Sequence, residues 1–500
     1  MRQSLSDRRE LWKAIPLDQS QAPFFEALAA YSATDAAPFS TPGHKRGRGA
    51  PDAMRALWPD TLALDIPHAG GVDTTHISLG LLREAERLAA EAYGGDWARF
   101  LVNGSTTGNL AMLLATCADG DTVIVSRMLH KSLLAGLVFS GARPHYLIPA
   151  FDDERNLPLD IEPAAVAGAL DIHPKSKAVV LVSPSYVGIT SDLVAIAAIC
   201  HERGVPLLVD EAWGPHFHFH PDLPSSAMQS GADAAVSSTH KMLAGLTQSS
   251  TLVARSGLLD LERMGTIVDM VQTTSPSALI FASLDASRRQ MALEGQRLLD
   301  TTLALASRLR EALAGVAGLE VLAPEMVAGR PGAGFDPTRV IVDVHGMGLT
   351  GYEAEHALRQ EHGVYVEMSD LLSVMLLITI GDDAASIDRA IAGFRSLTVL
   401  RKSPRHAVTA RSSGDLLFGH LAELTPRQAF MAVAERVPVA QAAGRVSAES
   451  ITPYPPGIPL VAPGERLTSD VIDYLRAGIE EGMYVSGLAD PTFETVRVVR

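Results

Sequence analysis

Cysteine is nearly absent from the chain: 500 residues contain two, Cys117 and Cys200, each inside an apolar stretch of helical pattern. That excludes a disulfide framework and argues against a metal centre, leaving two buried thiols as the expectation. Long apolar runs are missing too. No window approaches the roughly 18 uninterrupted apolar residues of a membrane span, and Leu371–Ile380 has only the length of a buried strand. Met1–Leu11 is charged and has no apolar core, so no secretory leader is expected and the chain reads as cytoplasmic. Basic charge is in deficit, with 42 Lys and Arg against 57 Asp and Glu and a formal net charge of -15. Nucleic-acid binders ordinarily carry a basic face, so nucleic acid is not an expected partner. An acidic surface mildly favours a cationic small molecule instead. Internal repeats and low-complexity tracts are also lacking.

What is present describes a globular protein, 47% hydrophobic and 20% charged. Its length suggests two or three domains. Residues 1–40 read as an N-terminal arm with one short helix, Pro23–Tyr31. An amphipathic helix is expected over Leu81–Tyr93, with apolar residues at Leu81, Leu82, Ala85 and Leu88. Strand and helix signals then alternate: strands at Arg99–Val102, Thr122–Val125, Pro144–Ile148, Ala178–Val182, Val205–Val209 and Ala234–Val236, with helices at Asn109–Thr116, Leu133–Phe139, Pro163–Leu170 and Asp192–Arg203. Such alternation predicts a mainly parallel sheet covered by helices, with ligands at the strands' carboxyl ends. A long helix, about Leu284–Val316, leads to a smaller α/β unit with strands at Val340–Val344, Val364–Glu367 and Val374–Ile380. Arg401–Ser413 reads as a linker, and the remainder carries one well-marked helix start, Thr425 as cap and Pro426 at the first helical position. The expected units are thus 1–40, 41–285, 286–400 and 401–500.

Polar residues gather where those strands end. Ser237-Ser238-Thr239-His240-Lys241 follows one strand. A lysine there, beside hydroxyls and an imidazole, can form a Schiff base with an aldehyde cofactor if its pKa falls. By itself the stretch reads more readily as a solvated lysine on a polar loop, and only partners elsewhere in the chain give it weight. Asn103-Gly104-Ser105-Thr106 lies between a strand and a helix, the layout that aims free backbone N–H groups at a phosphate. Plain N-capping by Ser or Thr is the alternative. His130 and Asp210 fall at two further strand ends, and a glycine-rich cationic loop, Thr41–Gly49, contains His44. These features meet the needs of pyridoxal 5'-phosphate. Lys241 would form the Schiff base and Asp210 would keep the pyridine nitrogen protonated. His130 would stack on the ring, and Gly104, Ser105, Thr106 and Ser238 would hold the phosphate. No metal site is expected.

The chain resembles the short form of the Orn/Lys/Arg decarboxylase family, fold type I of the pyridoxal-phosphate enzymes. The resemblance rests on Pro42-Gly43-His44, Asp73 with His76 and Gly80, Val102–Thr106, His130-Lys131-Ser132, Asp210-Glu211-Ala212, Ser238–Lys241, Thr274–Ser277, Pro453–Pro459 and Pro463-Gly464-Glu465. The motifs begin by Pro42, so the receiver-like wing domain of larger members is not expected in this chain. Two positions depart from the pattern. Trp213 stands where short members often have His, and Ser78 replaces a usual proline.

The resemblance implies an aspartate aminotransferase-like large domain with smaller α/β and C-terminal domains. It also implies decarboxylation of a basic L-amino acid, arginine first and then lysine or ornithine. Lys241, Asp210, His130 and His240 would be catalytic, with Lys241 or His240 returning a proton to the α-carbon; Trp213 joins the cofactor-binding set. Glu465, ahead of Glu367, is the candidate for the substrate's distal cation. A homodimer, or a higher oligomer of dimers, would bring His44 and Ser275 towards the neighbour's site. Other readings are a different pyridoxal-phosphate enzyme such as an aminotransferase, and a non-catalytic paralogue that binds amino acids or polyamines.

Overall fold

The structure is a computed structural model that describes residues 17–66, 80–155, 157–400, 414–419, 422–454 and 457–500. Asp73, His76 and Ser78 lie outside the described residues, as do the linker Arg401–Ser413 and Pro455-Pro456.

A seven-stranded sheet forms the centre. Its strands are β1 (Trp97–Leu101), β2 (Thr122–Ser126), β3 (Arg143–Leu147), β4 (Val179–Val182), β5 (Leu207–Asp210), β6 (Ala234–Ser237) and β7 (Ser250–Ala254). Their order in the sheet is β1-β7-β6-β5-β4-β2-β3. Only β7 runs against its neighbours; the other pairings are parallel. Parallel strands are buried on both faces, which is why β2, β4, β5 and β6 read as near-continuous Val, Leu, Ile and Ala.

Helix α1 (Leu81–Ala92) leads into β1, and the crossover helices are α2 (Gly104–Thr116), α3 (Lys131–Ser140), α4 (Pro163–Ile172) and α5 (Leu193–Glu202). One face of the sheet packs a core containing Phe100, Ile124, Leu181 and Val209. The other packs Leu101, Val125, Leu208 and Val236 against α2 and α3. A Cβ at Gly108 would overlap the Val236 side chain, so glycine lets α2 lie directly on β6, the strand that leads to Lys241. Both cysteines are buried free thiols; Cys200 lies within α5, whereas Cys117 is the residue that ends α2.

Helix α6 (Ala278–Ala314) runs 37 residues from the large sheet to a four-stranded one. That sheet is antiparallel, ordered β8-β9-β11-β10, from β8 (Glu320–Val321), β9 (Arg339–Asp343), β10 (Met368–Ser369) and β11 (Ser373–Leu377). It packs α7 (Gly351–His362) and α8 (Ala384–Ser396) on one core. The expected strand at Val364–Glu367 is not one. Gly363 ends α7 in the left-handed conformation and Val364 bonds back to Leu358, so pairing begins only at Glu367, whose N–H reaches Met375.

The C-terminal unit pairs β12 (Ala434–Pro438) with β13 (Thr495–Val499). It contains α9 (Pro426–Met431), where Thr425 and Gln428 form a capping box, and α10 (Ser469–Glu480), capped by Thr468. The sequence marks α10 too, through Thr468 and the spacing of Val471, Ile472 and Leu475, but that helix was not among the expected elements. Among the described residues no helix is long and apolar enough to cross a membrane.

Candidate active site

Strand β5 delivers Asp210 with its last residue, and β6 delivers Lys241 one helical turn beyond its end, within Thr239–Met242. His130 caps the N-terminus of α3 just after β2. All three line one cavity at the carboxyl end of the parallel strands, together with Ser105, Tyr186 and Trp213. Ala212 and Ile458 are also part of its wall.

Asp210 is buried at 2% exposure and is held, not merely enclosed. One oxygen accepts from the Ala212 N–H at 3.1 Å and the other from Asn109 Nδ2 at 2.7 Å. The same Asn109 amide donates to Ser132 Oγ at 2.9 Å, and Ser132 Oγ lies 2.8 Å from His130 Nδ1. Because the Ser132 backbone N–H also points at Nδ1, that nitrogen is the acceptor and the imidazole proton sits on Nε2. Burial pushes the His130 pKa down, against the pull of Asp210, so the ring is neutral. The carboxylate and the imidazole are therefore oriented by a single chain of hydrogen bonds through two buried side chains.

Lys241 Nζ lies 3.4 Å from the centre of the Trp213 ring. Arg339, which is completely buried, packs over that ring at 4.5 Å and donates to the Trp213 carbonyl at 2.8 Å. Burial lowers the Lys241 pKa to about 8; Asp210 opposes the fall and Arg339 adds to it. An amine with that pKa gives up its proton far more readily than an ordinary lysine, as a Schiff-base lysine requires.

Helix α2 starts earlier than expected, at Gly104, so the small polar loop is the first turn of the helix. Gly104 takes φ +70°, a conformation other residues seldom adopt, and this directs the chain into the turn. The first N–H groups of α2 have no intrahelical acceptor. Ser238 Oγ donates to Ser105 Oγ at 3.1 Å, which ties the lysine turn to this helix start. Open N–H groups, two hydroxyls and free space around Gly104 suit a phosphate. With an amine of lowered pKa, a deep carboxylate and a flat neutral imidazole, the donor set fits pyridoxal 5'-phosphate.

Other candidates fall elsewhere. His240 donates from Nδ1 to the Ser249 carbonyl at 2.7 Å and does not line the Lys241 cavity; burial lowers its pKa. His44 bonds Asp65 at 3.1 Å, and Ser275 is exposed on a groove with Asn103 and Gln248. Glu367 is exposed in this chain, yet partial burial of its carboxyl raises its pKa, against the pull of the nearby Lys241 and Arg339 cations. Glu465 requires a correction. It is 1% exposed, and both oxygens are taken, by Arg127 Nε at 3.1 Å and by Arg127 Nη2 and the Ala462 N–H at 2.9 and 2.7 Å. A carboxylate so saturated holds the C-terminal segment against β2 and is not free to receive a substrate.

Sequence reasoning gave no site role to Asn109, Tyr186 or Arg339, and met Ser132 only within the motif His130-Lys131-Ser132. For Asn109 the available signal was an amide side chain at the start of the apolar part of α2.

This architecture, a mainly parallel sheet with the lysine turn after β6, is fold type I of the pyridoxal-phosphate enzymes. Lysine decarboxylase LdcF of Francisella novicida superposes with a TM-score of 0.81 at 21% identity, covering 100% of this chain and 84% of that one. Lysine decarboxylase A of Pseudomonas aeruginosa gives 0.82 at 24%, covering 99% and 81%. The chain belongs to the Orn/Lys/Arg decarboxylase family: residues 22–386 match its major domain and residues 420–490 its C-terminal domain. Arginine decarboxylase of Halalkalibacterium halodurans is 39% identical over 485 residues, covering 96% of this chain and 98% of the relative. Arginine decarboxylase of Bacillus subtilis is 36% identical over 487 residues, covering 97% and 99%.

Proposed function

We propose that this chain decarboxylates a basic L-amino acid, arginine in preference to lysine or ornithine, with pyridoxal 5'-phosphate as its cofactor. The observation that carries the reading is the Asp210–Asn109–Ser132–His130 chain facing Lys241 across one cavity. The preference for arginine rests on relatives named arginine decarboxylase that align over nearly their whole length.

In this reading Lys241 holds the cofactor covalently and Asp210 keeps its ring nitrogen protonated. His130 would stack on the ring, and Trp213 would help to enclose the cofactor from the same cavity wall. Ser105, Thr106, Ser238 and the backbone from Gly104 hold the phosphate. The bound cofactor supplies an electron sink for the pair left on the α-carbon when CO₂ departs. Lys241 would give way to the incoming amine, and its Nζ, once protonated, would return that proton to the α-carbon. His240 is assigned to fixing the lysine turn through Ser249, with proton return as its alternative role. Glu367 remains the candidate for the distal cation.

The expected units 1–40, 41–285, 286–400 and 401–500 are kept as the domain division. We assign the chain to the cytoplasm and to a homodimer, or an oligomer of dimers, with His44 and Ser275 serving the neighbouring site. The test is reconstitution with pyridoxal phosphate. Wild type should gain a visible absorbance band that Lys241→Ala lacks; a band that persists in the variant would remove Lys241 from its role.

A further inference from the structure

A second cavity, of about 120 Å³, lies behind the first. Tyr186 and Ile458 line both, so these two side chains are shared walls. The second cavity sits where the four-stranded sheet meets the C-terminal unit. Met368 and Met375 come from β10 and β11, Tyr352 from α7, Tyr474 from α10, and Met483 from the segment after α10.

Its charge is distinctive. Asp370 is the one ionisable acid or base other than tyrosine lining it among the described residues, and no Lys, Arg or His lines it. One Asp370 oxygen accepts from the N–H groups of Leu372 and Ser373 at 2.8 and 2.6 Å; the other accepts from Ser373 Oγ at 3.1 Å. Those donors are neutral, and among the described residues Asp370 has no ion-pair partner. The half-buried carboxyl is thus hydrogen-bonded yet has no ion-pair partner among the described residues, and burial raises its pKa against those three hydrogen bonds, a cost that a bound cation would offset. Tyr186 and Tyr352 both lie close enough to Asp370 and to Tyr474 for their hydroxyl pKa values to be raised by them, in addition to burial. Three aromatic rings around a single unpaired carboxylate attract a weakly hydrated organic cation, through the ring faces as well as the charge. Thioether and aliphatic walls suit the methylene chain attached to it.

We propose that this cavity binds an aliphatic ammonium or guanidinium compound, with its cationic head on Asp370 among Tyr186, Tyr352 and Tyr474 and its chain along Met368 and Met483. The site is separate from the Lys241 cavity and does not depend on the reaction assigned there. Through Tyr186 and Ile458 its occupant touches the wall of that cavity, so amines that accumulate around the enzyme can be sensed beside the reacting centre.

The test is calorimetric titration of the holoenzyme with butyltrimethylammonium, which has no N–H and cannot react with an aldehyde. The cation should bind once per chain, with 1-hexanol weaker by roughly tenfold or more. Asp370→Asn keeps an acceptor for the two backbone N–H groups but removes the charge, and should weaken binding by a similar factor. Met483→Trp, which fills the cavity, should abolish binding, while His130→Ala should leave it within about twofold. If Met483→Trp fails to fold, Asp370→Asn and hexanol still decide. Absence of binding to wild type, equal binding to Asp370→Asn, or loss in His130→Ala alone would overturn the proposal.

Discussion

Glu211 follows Asp210 in sequence yet has the opposite electrostatic fate. It is 5% exposed and among the described residues accepts one backbone N–H, from Ala227 at 2.6 Å, so burial lifts its pKa to about 8. Folded chains therefore hold a proton that unfolded chains release above about 4.5. The native state binds more protons across that window, so this group's contribution falls as pH rises from about 4.5 to 8. Glu211→Gln mimics the protonated form and should flatten the decline, read as melting temperature against pH. Lys241 has the reverse logic. Its amine gains nucleophilicity as pH climbs through about 8, so the rate at which apoprotein captures pyridoxal phosphate should rise through that value and then level. Asn109→Ala removes both donors that orient Asp210 and, through Ser132, His130. Its kcat should drop roughly tenfold or more with a smaller change in KM and an unchanged circular dichroism spectrum.

Elements explain which of these roles could be read in advance. Lys241, Asp210 and His130 were legible because each sits at a strand end, where a parallel sheet presents its side chains to ligands. Asn109 was hidden because its partners are 101 and 23 residues away, and only the packing of α2 against α3 and the end of β5 brings them together. Val364–Glu367 looked like a strand by composition, but the left-handed Gly363 and the bond to Leu358 hold the chain away from the sheet until Glu367. Glu465 carried a family motif and an acidic head, yet nothing local announces that Arg127, 338 residues earlier, takes its oxygens. Because the pair is 1% exposed on both sides, Glu465→Ala strands a buried guanidinium and should cost about 3–5 kcal/mol in urea unfolding. The double change Arg127→Met with Glu465→Leu should recover much of that loss. A large rise in KM for substrate with unchanged stability would instead return Glu465 to the substrate site.

At the scale of the whole molecule, three cores meet around one cavity: the large sheet supplies the lysine and carboxylate, β9 supplies Arg339 behind Trp213, and the C-terminal unit supplies Ile458. The alternation of strands and helices conveyed the large sheet because its hydrophobic runs have no other stable use. How the three units close on one another depends on buried contacts between distant residues such as Arg127 and the Pro459–Glu465 segment, which no local pattern encodes. The measurement that bears most directly on the account is CO₂ and amine release from L-arginine, L-lysine and L-ornithine, with pyridoxal phosphate present, by wild type and Lys241→Ala. Turnover greatest with arginine and lost in the variant is the predicted result. No CO₂ from any of the three, despite a Lys241-dependent visible absorbance band, would contradict it.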